Sequence, residues 1–507
     1  MRDLQTFTLA DISREHSRSW PERTAAVCGD QRHTYLALDD RVNRLANALA
    51  VRGVREGDRV LWLGQNCHRL VEGMLATAKL KAGFCPVNWR QSVGEFGHVI
   101  EDLAPAVVLW QSQCEVADTL ADVQKLHGTA VWIDADTEYE RILAESSAED
   151  PLADDDDLAP TLFMYTAAFS GRPRAAMLSH RGLIAQNLTI SLVQGITPEF
   201  VFLNTGPLFH IATMMTTLAT LHMAGTNVYT PRNDAVEFCR LIDAEKVTGA
   251  FLIPHVAKQM ARANAARKYD LSSLRTVPMG DKDFQEMTSR ADSPWMRKPG
   301  GYGQTEVCGM LTLSAFGDAP LGPGRPTPMA GLRILDESGR EVPHGETGEI
   351  AARGPVAMLG YWNDPRETSR RQDGGWHRTH DLGRREPDGT VTFIGPKTEL
   401  IKTGVENVYP AEVEQALSQH PSVAESIVIG VPDPQWDQSV KAVVKLHAGA
   451  EATAEELIAH VKSLLASYKK PRTVAFVSDF PRLDSGWVDR DAVRAAHGAG
   501  GTPGRGV

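Results

Sequence analysis

The strand-like run Thr161–Thr166 leads into Ala167-Ala168-Phe169-Ser170-Gly171-Arg172-Pro173-Arg174-Ala175-Ala176, a loop of small residues with one hydroxyl and two cations. Small residues leave backbone N–H groups bare, and such groups can close on an anion. Phe169 works against that use, because it adds bulk where the anion should lie and offers no donor. A second place of interest is Phe480–Arg490, where Trp487 follows Gly486 and Arg482 and Arg490 stand close by. An indole has one N–H donor and no charge, so only a neighbouring arginine could supply a cation there. Trp436, Tyr468, Lys470 and Arg472 add aromatic rings and positive charge near the end of the chain. The plain reading of that set is core aromatics beside a surface basic cluster. His210 follows an aromatic in Pro207-Leu208-Phe209-His210, where a structural histidine competes with a functional one.

These residues must be positioned by a sizeable scaffold. At 507 residues the chain is too long for one core, so two or three domains are expected. An apolar share of 42% with 23% charged residues fits a soluble globular protein. The net charge of -11 argues against general nucleic-acid binding, which needs a positive surface, while leaving room for a local basic pocket. Six scattered cysteines without a C-x-x-C pair predict neither a disulfide framework nor a zinc site, and no metal ligand is assigned. The residues Met1–Ala10 lack a basic region followed by an apolar run, and no stretch approaches the ~20 apolar residues of a membrane span. A cytoplasmic protein with no membrane partner is expected.

Along the chain, apolar β-branched runs alternate with helical spacing, the pattern of a layered α/β fold. Arg41–Val51 and Leu70–Lys81 read as helices and Asp58–Gly64 as a buried strand between them. Asp154–Asp157 closes on a proline and reads as a solvated loop. Residues 398–496 carry their own alternation, with helices at Ala411–Gln419 and Glu455–Ala466 and strands at Ala424–Ile429 and Val440–Lys445. A large domain, 1–397, and a small α+β domain, 398–496, are therefore expected. The glycine-rich residues 497–507 are expected to be disordered.

Several strings, in order, resemble the adenylate-forming superfamily of acyl-CoA synthetases, nonribosomal adenylation domains and luciferases. Gly301-Tyr302-Gly303-Gln304-Thr305-Glu306 resembles its adenylate-binding turn, and Arg378-Thr379-His380-Asp381-Leu382-Gly383 its ribose-binding segment. Ile401-Lys402-Thr403-Gly404-Val405-Glu406-Asn407-Val408-Tyr409-Pro410 resembles the start of its mobile C-terminal domain. Further matches are Tyr269–Arg275, Gly348-Glu349-Ile350 and Gly360-Tyr361-Trp362, so the likeness runs from about Tyr35 to Arg490. The resemblance implies a two-step reaction: a carboxylate attacks the α-phosphorus of ATP, then the thiol of CoA displaces AMP from the acyl-adenylate. It implies a large α/β domain with a small mobile α+β domain hinged at Thr398. By the same likeness, Thr166, Gly280, Asp281, Gly301, Tyr302, Gly303, Gln304, Thr305, Glu306 and Asp381 bind the acyl-adenylate. Asp381 would take the ribose hydroxyls, Thr305 the α-phosphate, and Glu306 the Mg²⁺ that accompanies ATP. His210 would gate the thiol's path to the carbonyl. CoA would be bound by Gly404, Val405, Glu406, Trp436, Tyr468, Lys470 and Arg472.

The departures from the family pattern concern the first step. The family's phosphate loop reads roughly S-G-T-T-G-x-P-K-G, whereas Ala167, Ala168, Phe169, Arg174 and Ala175 stand here. Trp487 occupies the place of the lysine that holds carboxylate and α-phosphate during adenylation. His380 replaces the glycine before Asp381, Pro396 a ribose-side arginine, and Asp281–Asp283 a Gly-Ala-Pro end. These departures resemble the non-adenylating acyl-CoA ligases of platensimycin-type diterpenoid biosynthesis. That likeness implies transfer of a bulky diterpenoid acyl group from a preformed acyl-adenylate to CoA, releasing AMP, in antibiotic biosynthesis. ATP and Mg²⁺ would then go unused, and a separate adenylating enzyme would supply the intermediate. A complete ATP-dependent acyl-CoA ligase is the first alternative; a non-catalytic protein that binds acyl-adenylate or acyl-CoA is the second.

Overall fold

The computed structural model describes residues 5–128, 130–151, 156–166, 173–276, 281–290, 293–318, 322–397, 399–404, 406–482 and 488–498. The chain divides into two compact units. The first comprises Met1–Trp89, Leu103–Tyr165 and Ala175–Gly395; the second comprises Arg90–Asp102, Thr166–Arg174 and Pro396–Val507. The architecture is the expected one, a large α/β part and a small α+β part. No helix among the described residues is long and apolar enough to cross a membrane. All six cysteines carry free thiols.

A seven-stranded sheet runs in the order Gly360–Tyr361, Arg174–Ser179, Pro160–Thr166, Gly83–Pro86, Arg59–Leu63, Val107–Trp110, Val131–Asp134. The pairings of Arg59–Leu63 with Gly83–Pro86 and Val107–Trp110 are parallel. A parallel sheet needs cover on both faces, so its strands are apolar throughout. Val60, Leu61, Trp62 and Leu63 are all fully buried, which explains why this strand reads as an unbroken apolar run. A second sheet pairs Gly249–Ala250, Val201–Asn204, Thr226–Tyr229 and Thr24–Cys28 in parallel, with Gln31–Thr34 antiparallel at its edge. Two antiparallel sheets carry the strings around Gly301 and Asp381. One holds Gly301–Gln304, Gly309–Leu313 and Arg325–Pro326; the other is built on Thr347–Arg353 and Trp376–Arg385.

The helix read at Arg41–Val51 begins earlier, at Tyr35. Thr34 explains the difference: its side chain accepts the Ala37 N–H, a cap that starts the helix ahead of the regular apolar spacing. The helix read at Leu70–Lys81 spans His68–Lys79, and Lys81 lies in the left-handed region just past its end. Lys79 is wholly buried, with its Nζ donating to Asp39 Oδ1 at 2.7 Å and to Asn43.

In the second unit, Val423–Asp433 and Asp437–Leu446 form a long antiparallel pair. Ile401–Thr403, Glu406–Val408 and Thr473–Phe476 extend that sheet. The helices Pro410–Ser418 and Ala454–Leu464 cover it, burying Val413, Leu417, Leu457 and Val461. Lys469, 4% exposed, donates to Glu95 at 2.6 Å and Glu412 at 3.0 Å, both within this unit.

Removing one partner of a buried ion pair leaves an uncompensated charge and typically costs about 3–5 kcal/mol. Lys79→Ala is therefore expected to lower the urea midpoint of the first unit sharply, as followed by tryptophan fluorescence. A wild-type midpoint would show that Asp39 needs no counter-charge.

Candidate functional site

The hairpin Gly301–Leu313 is closed by one turn of 3-10 helix, Thr305–Val307. Its geometry depends on Gly303, where a Cβ would run into the carbonyl oxygen of Gly309 on the facing strand. The alternation Gly301-Tyr302-Gly303-Gln304 then aims its side chains at Trp376–Arg385. Tyr302 Oη donates to Asp381 Oδ2 at 2.7 Å, and Gln304 Nε2 reaches the same oxygen at 3.2 Å. Gln304 Nε2 also lies 3.0 Å from the Tyr302 hydroxyl and 3.3 Å from the Thr379 carbonyl. Its Oε1 meets His377 Nε2 at 3.2 Å, an acceptor that requires the proton on that nitrogen. Burial, reinforced by Arg371 and His380, pushes His377 down to about 3, so its ring stays neutral. Burial and then Asp381 push the Tyr302 hydroxyl well above its ordinary range, so it remains a donor. The Asp381 backbone N–H donates to the Thr379 hydroxyl, which in turn donates to the Ile350 carbonyl. The Tyr302 ring stacks on Phe393 at 4.9 Å. Asp381 is thus a half-buried carboxylate whose Oδ2 is held by two donors.

His380 has φ of +58°, the left-handed region that side chains other than glycine seldom adopt. This accounts for the glycine the family keeps there. His380 is held in place as its N–H donates to Glu349 Oε1 at 3.1 Å. Glu306 is 5% exposed, and its Oε1 accepts the Tyr361 hydroxyl at 2.8 Å. Burial, then Glu306, raises Tyr361 far above the usual phenol range, keeping it a donor. Thr305 starts the 3-10 turn that presents Glu306. His210 sits at the N-cap of Ile211–His222 with its ring 4.7 Å from that of Phe209. Asp281 is occupied locally, its side chain capping Lys282–Gln285 through the Phe284 N–H.

In the second unit, Thr166 ends its strand and donates to the Arg174 carbonyl at 3.3 Å. Gly404 has φ of +64°, and its N–H donates to the Trp436 carbonyl at 2.8 Å. A Cβ there would come within 3.1 Å of the Trp436 ring, so glycine is required on both counts. The Arg472 guanidinium lies 5.7 Å from that ring and pairs with Asp433 at 3.5 Å. Lys470 donates to Ser467, and burial together with Lys462 and Arg472 lowers its pKa, the mark of a basic patch. Tyr468 packs on the unit's core, with burial raising its hydroxyl. Glu406 is buried and takes Arg90 Nη1 at 3.1 Å, so its carboxylate is turned to the protein. Both arginines near position 487 are engaged: Arg490 by Glu399 and Glu414, Arg482 by Glu425. Ala167–Arg172, Gly280, Thr398, Val405 and Trp487 lie outside the described residues, as do residues 499–507. Sequence reasoning missed Tyr361, Thr379 and His377 as supporting groups, although the first two stand inside the quoted strings.

Comparison with known proteins places these features in a family. Residues 13–362 match the AMP-binding enzyme model, and 412–486 that of the AMP-binding enzyme C-terminal domain. The chain is 34% identical to feruloyl-CoA synthase of an Amycolatopsis species over 95% of this chain and 97% of that one. It is 32% identical to indoleacetate–CoA ligase of Aromatoleum aromaticum, over 94% and 96%. Among solved structures, o-succinylbenzoate CoA synthetase (MenE) of Bacillus subtilis, bound with its product analogue OSB-NCoA, superposes with TM-score 0.81. The identity is 25%, over 95% of this chain and 97% of that one. These likenesses overturn the expectation that ATP and Mg²⁺ go unused: the chain matches the AMP-binding enzyme model along most of its length, and relatives named as a CoA synthase and a CoA ligase along nearly all of it. Nor do these relatives lend support to a separate adenylating partner. The chain belongs to the AMP-binding, adenylate-forming superfamily, within its acyl-CoA ligases.

Proposed function

We propose that this protein is a complete, ATP-dependent, AMP-forming acyl-CoA ligase. The observation that carries the reading is the network Tyr302–Gln304–Asp381–His377, which fixes a carboxylate before any ligand arrives. Asp381 reads the ribose hydroxyls through the acceptor capacity those bonds leave, since a carboxylate offers about four lone-pair sites. Pre-set polar groups need no reorganisation when charge develops, and this is the source of their catalytic value. Glu306 has the chemistry to hold Mg²⁺: it is a buried carboxylate kept in place through one oxygen by Tyr361. The ion would neutralise phosphate charge. Thr305 contacts the α-phosphate, and His210 guards the approach of the thiol. Trp436 stacks the adenine of CoA while Lys470 and Arg472 take its phosphates.

Trp487 and Phe169 bear on rate within this reading. Loss of one well-placed stabiliser of developing charge costs about 2.7–4 kcal/mol, or ~10²–10³ in rate. Adenylation is therefore the slow half-reaction. The relatives named for feruloyl and indoleacetate groups favour an aryl acid as substrate over the polycyclic diterpenoid acid that the departures first indicated.

The decisive experiment is acid-dependent ATP–pyrophosphate exchange by the wild-type chain. The panel is ferulate, indole-3-acetate, a long-chain fatty acid and a polycyclic diterpenoid acid. Slow but measurable exchange is expected, and Trp487→Lys should raise it by about 10². Absence of exchange with every acid, alongside turnover of synthetic acyl-adenylate with CoA, would sink the proposal. Two variants should separate the half-reactions. Asp381→Ala removes hydrogen bonds to a charged acceptor, worth about 1.5–3 kcal/mol, and should cut kcat/KM for ATP roughly tenfold to a hundredfold. Trp436→Ala removes one base stack, ~1–3 kcal/mol, and should raise KM for CoA while leaving pyrophosphate exchange untouched. Equal effects of Trp436→Ala on both steps would remove the assigned role.

A further inference from the structure

Away from these residues, the first unit brings His33, His68 and Glu72 together, with one ligand atom from each lying within 4.8 Å of the others. The placement follows from the elements. His68 and Glu72 are four apart on the helix His68–Lys79 and so share a face. His33 comes from the short edge strand Gln31–Thr34, its ring 4.9 Å from that of His68. His68 is 3% exposed, yet neither of its ring nitrogens has a hydrogen-bond partner in the protein, and His33 Nε2 is likewise buried without one. Buried polar groups in folded proteins are nearly always satisfied, so unpartnered ring nitrogens on two neighbouring histidines, one from each within reach of the Glu72 carboxylate, call for an electrophile.

We propose that His33, His68 and Glu72 form a structural binding site for a divalent transition metal, with zinc the best fit. Two imidazoles and a carboxylate are a zinc donor set and unlike the all-oxygen sets of Mg²⁺ and Ca²⁺. Glu72 is wholly buried and already oriented. Arg41 Nε donates to Oε1 at 2.7 Å, while Arg41 Nη2 and the Tyr139 hydroxyl occupy Oε2 at 3.2 and 2.7 Å. Oε1 therefore keeps a lone pair for the ion, and the Arg41 and Tyr139 contacts are the outer support that metal-bound carboxylates require. The surrounding charge also permits a cation. Arg41 and Arg69 are answered by Glu72, Glu140 and Asp136, leaving one negative charge in excess. The metal fastens the edge strand to the helix and to Tyr139–Ala144 beyond it. The absence of C-x-x-C spacing hid the site from the sequence, because its ligands are imidazole and carboxylate.

The test uses the full purified chain. After zinc loading and dialysis against a weak chelator, metal analysis should find stoichiometric zinc in the wild type. It should find a loss of that zinc in His33→Gln and His68→Gln, with retention in the control His344→Gln at an exposed position. A cobalt(II) titration of the wild type, which does not depend on any variant folding, should give the visible absorption bands of a tetrahedral site with nitrogen and oxygen donors. Zinc that dialyses away from the wild type, zinc kept equally by all variants, or cobalt bands of an octahedral aquo ion would each overturn the proposal.

Discussion

A carboxylate can recognise a ligand only as selectively as it is held still, and the carboxylate of Asp381 is held from two sides. The hairpin Gly301–Leu313 supplies Tyr302 and Gln304; the strand Trp376–Arg385 supplies His377 and Thr379, both just ahead of the left-handed His380. Each donor is itself committed, so a shift of one residue would break several hydrogen bonds together. Buried polar chains of this kind gain most when their members are satisfied; here His377 Nε2 is paired while its Nδ1 is buried without a hydrogen-bond partner. The neutral His377 ring and the un-ionised Tyr302 hydroxyl show how burial enforces the needed donor roles.

The second unit follows another logic. Gly404 gives way so that the Trp436 ring can lie against the backbone, and Arg472 sits beside the same ring while Asp433 steadies it. The adjacent lysines divide the work. Lys469 is sunk between Glu95 and Glu412 as a piece of architecture, while Lys470 stays near solvent with its pKa lowered by burial and by like charges.

Much of this was legible in the sequence because the information is local. A turn that tolerates only glycine, an uninterrupted apolar strand, and the succession of short strings each survive as readable text. The cap at Thr34 was missed because one hydroxyl outweighed the apolar spacing. Tyr361 was quoted without its role, since nothing in Gly-Tyr-Trp reveals a partner 55 residues earlier at Glu306. His33 and His68 meet only through the pairing of an edge strand with a helix. Phe169 and Trp487 stand out chemically, yet the expectation that ATP and Mg²⁺ go unused is overturned by a family likeness that spans nearly the whole chain.

The collision that any side chain at Gly303 would have with the Gly309 carbonyl has an evolutionary reading. Because the obstruction is main chain, no compensating change elsewhere can clear it, and this rung of the hairpin is closed to drift. At Gly309 the nearest obstacle is instead the Met215 sulfur, which belongs to a side chain. The pliability of methionine makes that contact easier to relieve than the main-chain one at Gly303.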